Sequence, residues 1–257
     1  MTTIPTGRFV WFEYVSTDSA KAQGFFGELF NWSTQAVPMP DGAYTMIALD
    51  KDTTIGGYLP TPKGAPPHAH WLPHLQVTDA AATLAKVEQH GGKIAAKPWK
   101  LGEVGTMGVA LDPLGGVFAV WQPTKPMGTG DWKGREGAWC WNELYTDDPA
   151  TSVAFYAQVA GFTDAPMDMG PMGTYHVLNF DGQGRAGVMK SPMPGIPQSW
   201  LPYVQVASVD ATVAKAARLG AEVKMPASDV PNVGRLAVFI DPLGAAIGIL
   251  QPAPAAT

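Results

Sequence analysis

The sequence predicts an α+β protein built from four modules of strand, helix and further strands, arranged as two similar domains. Three observations carry that expectation. "LDPLGGVFAVWQP" at 111–123 returns as "IDPLGAAIGILQP" at 240–252. "FVWFEYVSTDSAKAQGFFGELFNW" (9–32) aligns with "WCWNELYTDDPATSVAFYAQVAGF" (139–162), matching Trp11 to Trp141, Glu13 to Glu143, Asp18 to Asp148 and Phe26 to Tyr156. "HWLPHLQVTD" (70–79) matches "SWLPYVQVAS" (199–208), so the whole first half is repeated.

Each module is justified by its own local chemistry. In the first, strand-like alternation leads to Asp18, after which Ala22, Phe25, Phe26, Leu29 and Phe30 recur at helical period. Asp18 can accept hydrogen bonds from the free N–H groups of that helix. The stretches "YTMIALD" and "TIGGYLP" then alternate as strands. In the second module Asp79 opens a helix and Gly91 closes it, ahead of "GTMGVALDPLGGVFAVWQP", whose Asp-Pro-x-Gly suits a hairpin turn. The third places Pro149 just after a capping Asp148, the position proline favours, and continues into "YHVLNFD". The fourth helix, in "ASVDATVAKAARLGAEV", closes at Gly220 before "GRLAVFIDPLGAAIGILQP". The modules start near residues 8, 70, 138 and 199, and their strands are expected to be short and antiparallel. Pro, Gly and charge at 123–137 suit a surface linker, giving domains at 1–123 and 137–257 joined by 124–136.

Composition narrows the class. With 46% hydrophobic and 15% charged residues among 257, the chain has apolar material for sizeable cores and too little charge for disorder. A net charge of −5 with no basic cluster interleaved with aromatics argues against nucleic acid as a partner. Cys140 is the only cysteine, which excludes an internal disulfide and fits a reducing compartment. No basic segment leads into an apolar stretch and no run is long enough to span a membrane, so a cytoplasmic protein without a membrane partner is expected.

Four such modules, with "VTD" or "TD" ending the first strand, "FF" or "FY" in the helix and "DPLG" before the last strand, resemble the vicinal oxygen chelate superfamily. That group includes glyoxalase I, extradiol dioxygenases and bleomycin-resistance proteins. The resemblance implies βαβββ modules paired into curved, partly open eight-stranded mixed sheets, with flanking helices, around a cleft. Metal-dependent members place His, Gln or Glu seven residues before the strand-ending Asp and four after the Gly of the Asp-Pro-x-Gly turn. Here those positions hold Trp11, Leu72, Ala119, Trp141, Leu201 and Gly248, and none can bind a divalent ion through its side chain. No metal or other cofactor is therefore expected. His68, His70 and His74 in "HAHWLPH" superficially resemble a ligand cluster but have no equivalent histidines in the second half.

Side chains alternate along a strand, so Glu13 shares a face with Trp11, Glu143 with Trp141, His74 with Leu72, and Tyr203 with Leu201. A carboxylate on an apolar face asks for a partner, which makes Glu13 with His74, and Glu143 with Tyr203, candidate acid/base pairs or alternatively pins between strands. Trp11, Trp141, Leu72 and Leu201 are candidate ligand-binding residues, with Met169 and Met172 as an adaptable loop nearby. Trp71 and Trp200 fall on the opposite face, under the helices. Cys140 faces away from the cleft and is not expected to be a nucleophile, and His176 is read as a lone structural histidine. The expected function is binding of a small apolar or aromatic molecule in a concave cleft without metal. The alternative is a glyoxalase- or dioxygenase-like enzyme using Glu13/His74 or Glu143/Tyr203 for acid/base chemistry, or an atypical metal site. The oligomeric state stays open.

Overall fold

A computed structural model describes residues 6–39, 42–65, 67–125, 134–192 and 198–254. Most of the expected linker at 124–136 lies outside these residues. The first repeat runs β1 (Arg8–Ser16), α1 (Ser19–Phe30), β2 (Ser33–Met39), β3 (Gly42–Asp50), β4 (Thr53–Pro60), β5 (His70–Gln76), α2 (Ala80–Gln89), β6 (Lys93–Leu101), β7 (Gly105–Leu111) and β8 (Val117–Pro123). The second runs β9 (Trp139–Thr146), α3 (Pro149–Ala160), β10 (Thr163–Asp168), β11 (Thr174–Phe180), β12 (Gln183–Lys190), β13 (Ser199–Gln205), α4 (Val209–Arg218), β14 (Glu222–Val230), β15 (Gly234–Ile240) and β16 (Ala246–Pro252). The helices begin where the capping residues predict. Asp18, Asp79 and Asp148 accept from the N–H of Lys21, Ala82 and Thr151 at 3.0, 2.9 and 3.1 Å, and Ser208 does the same for Ala211 at 3.3 Å.

Two eight-stranded sheets result, ordered β2-β3-β4-β1-β5-β8-β7-β6 and β10-β11-β12-β9-β13-β16-β15-β14. In every module the three strands after the helix form an antiparallel meander. The last of them pairs in parallel with the module's first strand. The expectation of antiparallel strands thus holds for the hairpins and not for these pairs. The helix carries the chain back across the sheet before the meander starts, so its third strand ends in the direction of the first. The four edge strands β2, β6, β10 and β14 contain Pro38, Pro98, Pro166 and Pro226, each of which removes an N–H that another chain could pair with.

The chain's internal contacts divide it into two compact units, and each draws on both repeats. One comprises Met1–Trp11, Leu72–Asp131 and Trp141–Leu201, and the other Phe12–Trp71, Trp132–Cys140 and Pro202–Thr257. In the former, Asp112 is buried and its Oδ1 accepts from the N–H groups of Leu114 and Gly116 at 3.0 and 2.9 Å, closing the turn before β8. Its Oδ2 accepts from Gln198 Nε2 at 2.7 Å and the Tyr156 hydroxyl at 3.1 Å, while Trp200 Nε1 donates to Tyr156 at 3.0 Å. Phe118, Phe155, Tyr156 and Trp200 pack as rings around this point.

In the latter unit Asp241 repeats the turn, accepting from Leu243 and Ala245 N–H at 2.7 and 3.1 Å, and its Oδ2 accepts from the Tyr14 hydroxyl at 2.6 Å. Burial, then the adjacent Asp241 carboxylate, keeps Tyr14 protonated far above the ordinary phenol range. Tyr14, Phe26, Trp32, Trp71 and Trp139 form the surrounding ring cluster. As strand alternation predicts, Trp71 meets Phe26 of α1 and Trp200 meets Tyr156 of α3, each at 5.3 Å between ring centroids. Among the described residues no helix is long and apolar enough to cross a membrane.

Candidate functional site

Glu13 lies buried on β1, in register with Gly57 of β4. The Tyr44 hydroxyl, from β3, donates to Glu13 Oε1 at 2.9 Å. That ring must cross the intervening strand to reach the carboxylate. A Cβ on Gly57 would collide with the Tyr44 hydroxyl, so only glycine leaves room for it.

The second repeat builds the same arrangement and extends it. Glu143 is buried on β9 in register with Gly187 of β12, and Tyr175 of β11 donates its hydroxyl proton to Glu143. Trp141 Nε1 in turn donates to the Tyr175 oxygen at 2.7 Å. A Cβ on Gly187 would collide with the Tyr175 hydroxyl. The Trp141 ring lies beside Gly184, where a Cβ would meet its outer edge, and both Trp141 and Tyr175 remain partly exposed. Burial, and next the charge of Glu143, holds Tyr175 in its protonated form.

The other expected site residues are placed as follows. His74 is buried on β5 in register with Ala119 of β8, and Tyr203 is buried on β13 in register with Gly248 of β16. Leu72 and Leu201 are buried, and Trp11 is partly exposed. Met169 and Met172 border a single 3-10 turn, Gly170–Met172, between β10 and β11, with Met172 57% exposed. His68 and His70 are exposed, and the His70 ring bonds the His68 carbonyl at 3.2 Å. His176 is not isolated, because its Nδ1 meets Asp164 Oδ2 across the β10–β11 hairpin at 2.9 Å. The Cys140 thiol lies 3.4 Å from the Tyr203 carbonyl oxygen, and burial pushes it up to about 12, which fits an inert thiol.

Sequence reasoning missed Tyr44, Tyr175, Gly57 and Gly187. The signal was present: "AYTMIALD" and "TYHVLNF" align tyrosine on tyrosine, and a glycine stands in register with each repeated glutamate. A carboxylate repeated at matched positions invites a search for a hydroxyl repeated at matched positions.

No family model matches the chain. It is 36% identical over 248 residues, covering 95% of this chain and 94% of the relative, to a Mycobacterium bovis protein described as "Putative glyoxylase CFP32". The chain belongs to the glyoxalase- and dioxygenase-like vicinal oxygen chelate superfamily. Another relative within reach is the anthracycline biosynthesis protein DauV of Streptomyces sp. strain C5, 32% identical with 98% of this chain and 95% of that protein covered. Solved structures of the superfamily share the fold. The Mn(II)-bound glyoxalase of Novosphingobium aromaticivorans matches 96% of this chain and 82% of its own at a TM-score of 0.63 and 16% identity. The 2,2',3-trihydroxybiphenyl 1,2-dioxygenase of Sphingomonas wittichii matches 96% and 91% at a TM-score of 0.67 and 14% identity.

Metal-dependent superfamily members set a test for the residues here. The ligand positions hold Trp11, Leu72, Ala119, Trp141, Leu201 and Gly248, which offer no side-chain donor to a divalent cation. At Gly248 the Tyr203 ring fills the space a side chain would need. Among the described residues no group of three or more His, Cys, Asp or Glu side chains is placed to hold a metal ion. The residues at the superfamily's ligand positions therefore do not fit the metal.

Proposed function

We propose that the chain binds a small apolar or aromatic molecule against the ring-lined face beside Glu143, with no metal at the superfamily's ligand positions, and that it works in the cytoplasm. The observation that carries this is the placement of two partly exposed aromatic side chains, Trp141 and Tyr175, along the sheet above a buried carboxylate. Flat rings on an apolar face stack planar ligands, and one polar group fixes their orientation. Trp11, Tyr44 and Glu13 offer the same residue types in the first repeat, and Leu72, Leu201, Met169 and Met172 remain candidate contacts. A relative named for anthracycline biosynthesis supports a fused-ring ligand.

Fluorescence titration of the purified chain with 1,8-dihydroxyanthraquinone tests the proposal. Saturable binding is expected, weakened about tenfold by Trp141→Ala, the order of one aromatic stacking contact, while the thermal melt stays cooperative. Absence of saturation, or equal affinity in the variant, would overturn it.

A second function is supported by the phenol–carboxylate pairs, which can pass a proton to a bound substrate, and by the glyoxylase name of one relative. In that alternative Glu13 or Glu143 supplies acid/base catalysis within its own compact unit, since the expected partners His74 and Tyr203 each fall in the other unit from the glutamate they were paired with. Elemental analysis separates the metal-free versions of both from an atypical metal enzyme: no stoichiometric Zn, Ni, Fe or Mn is expected after dialysis.

A further inference from the structure

We infer that Gly184 is a specificity-determining residue of the Trp141 face: it keeps a notch open at the outer edge of the indole, so that the site selects fused systems of three or more rings over two-ring ligands. This rests on the binding function proposed above and names the ligand class for it. Trp141, Tyr175, Val177, Gly184 and Gly187 all belong to one compact unit, and the indole lies along β12 between the two glycines. One end of the ring is closed. There Nε1 donates to the Tyr175 hydroxyl at 2.7 Å, and a Cβ on Gly187 would stand 3.1 Å from the same nitrogen. An indole has a single donor, so Trp141 offers a ligand its ring and no hydrogen bond.

The other end is open. A Cβ on Gly184 would meet Trp141 Cη2 and Cζ3 at 3.4 and 3.7 Å and Val177 Cγ1 at 3.1 Å, and glycine leaves that position empty. Gly184, Val177 and Trp141 are each partly exposed, so the notch they border is reached from solvent. Backbone conformation does not require the glycine, because Gly184 has no positive φ. The first repeat confirms that a side chain is tolerated at the matched place. Both β3–β4 and β11–β12 shift register at the same point, and Thr54 stands opposite Ala48 as Gly184 stands opposite Asn179. A two-ring ligand stacked on the indole matches its length and does not reach the notch. A third ring overhangs the indole, and the end beside Gly184 is the one with room for it.

A matched pair of neutral ligands differing by one ring, 2-naphthalenemethanol and 2-anthracenemethanol, tests this by calorimetry on the full chain and on Gly184→Ala and Gly184→Thr. Thermal melts check that the variants fold, as the threonine of the first repeat leads one to expect. In the wild type the three-ring ligand should bind about tenfold more tightly, the order of one further aromatic contact. Because an added ring is also more apolar, the decisive reading is how that ratio changes. Gly184→Ala should lower it several-fold and Gly184→Thr should bring it close to one, with the affinity for 2-naphthalenemethanol unchanged. A ratio that stays at the wild-type value in both variants, or an equal loss for the two ligands, overturns the role of Gly184 while aromatic binding stands. If neither ligand saturates the wild type, the binding function fails as well.

Discussion

Asp112 and Asp241 open turns spelled alike, and each uses Oδ1 for the same two backbone N–H groups of its turn, yet Oδ2 of Asp112 gathers Tyr156 from a helix and Gln198 from the start of a strand, whereas Oδ2 of Asp241 takes Tyr14 from a strand. The turn fixes one oxygen through local geometry, which five residues determine. The other oxygen is buried and must be satisfied, and any hydroxyl or amide that packing delivers will serve. The glutamates divide the same way. Both accept from a tyrosine two strands away, and in the second repeat Trp141 is added to the arrangement. Position 12 and its counterpart differ outright: Phe12 packs its ring on Trp139, 4.6 Å between centroids, where Asn142 buries an amide.

Cutting the chain between the repeats should have the largest effect. Tyr156 with Asp112, and Tyr14 with Asp241, each join the two repeats within one compact unit. Fragments 1–123 and 137–257 expressed separately are expected to lack cooperative thermal transitions, and a fragment melting near the full chain's temperature would show that these links are dispensable.

Removing each aspartate sharpens the comparison. Asp112→Ala strips partners from the buried Tyr156, the part-buried Gln198 and two backbone groups and should cost about 4 kcal/mol, against about 3 kcal/mol for Asp241→Ala, with urea melts as the measurement. Equal costs would mean that the second side-chain partner of Asp112 contributes little.

The two turns should also be separable by pH. Burial raises the Asp241 carboxyl above its ordinary range, outweighing the lowering by Tyr14 and the turn N–H groups. A carboxyl whose folded pKa is raised stabilises the fold most below its unfolded pKa, and that share is lost as pH rises through the folded value. Asp241→Asn should therefore flatten the decline in stability as pH rises above the ordinary carboxylate range, and an unchanged slope would assign the dependence to other groups.

The smallest effect is expected at Asn142, whose two amide atoms are buried without a hydrogen-bond partner. Asn142→Leu should raise stability by about 1 kcal/mol in the same urea assay. A loss of stability would indicate that a bound water or ligand satisfies the amide.

Much of the fold was legible because its signals are local. Asp18, Asp79 and Asp148 cap helices through hydrogen bonds spanning three residues, and the Asp-Pro-Leu-Gly turns close within five. Alternation alone placed Trp71 and Trp200 under their helices, since a strand has only two faces. The candidate site was half legible: Glu13 and Glu143 were found by their repetition, and their tyrosines were not. Tyr44 and Tyr175 depend on which residue stands in register two strands away and on a glycine between, and a one-residue slip would reverse every face. His176 shows the same limit, because its partner Asp164 becomes a neighbour only once the β10–β11 register is set.

By itself the sequence determined the four modules, their turns and which strand positions repeat a carboxylate, all legible from periodicity, repetition and short-range hydrogen bonding. The tertiary structure alone decided that compact units combine modules from different repeats, and which tyrosine each buried acid receives. Pairing modules within a repeat or between repeats satisfies the same local rules, so the choice falls to packing and to the buried oxygens that long-range partners must satisfy.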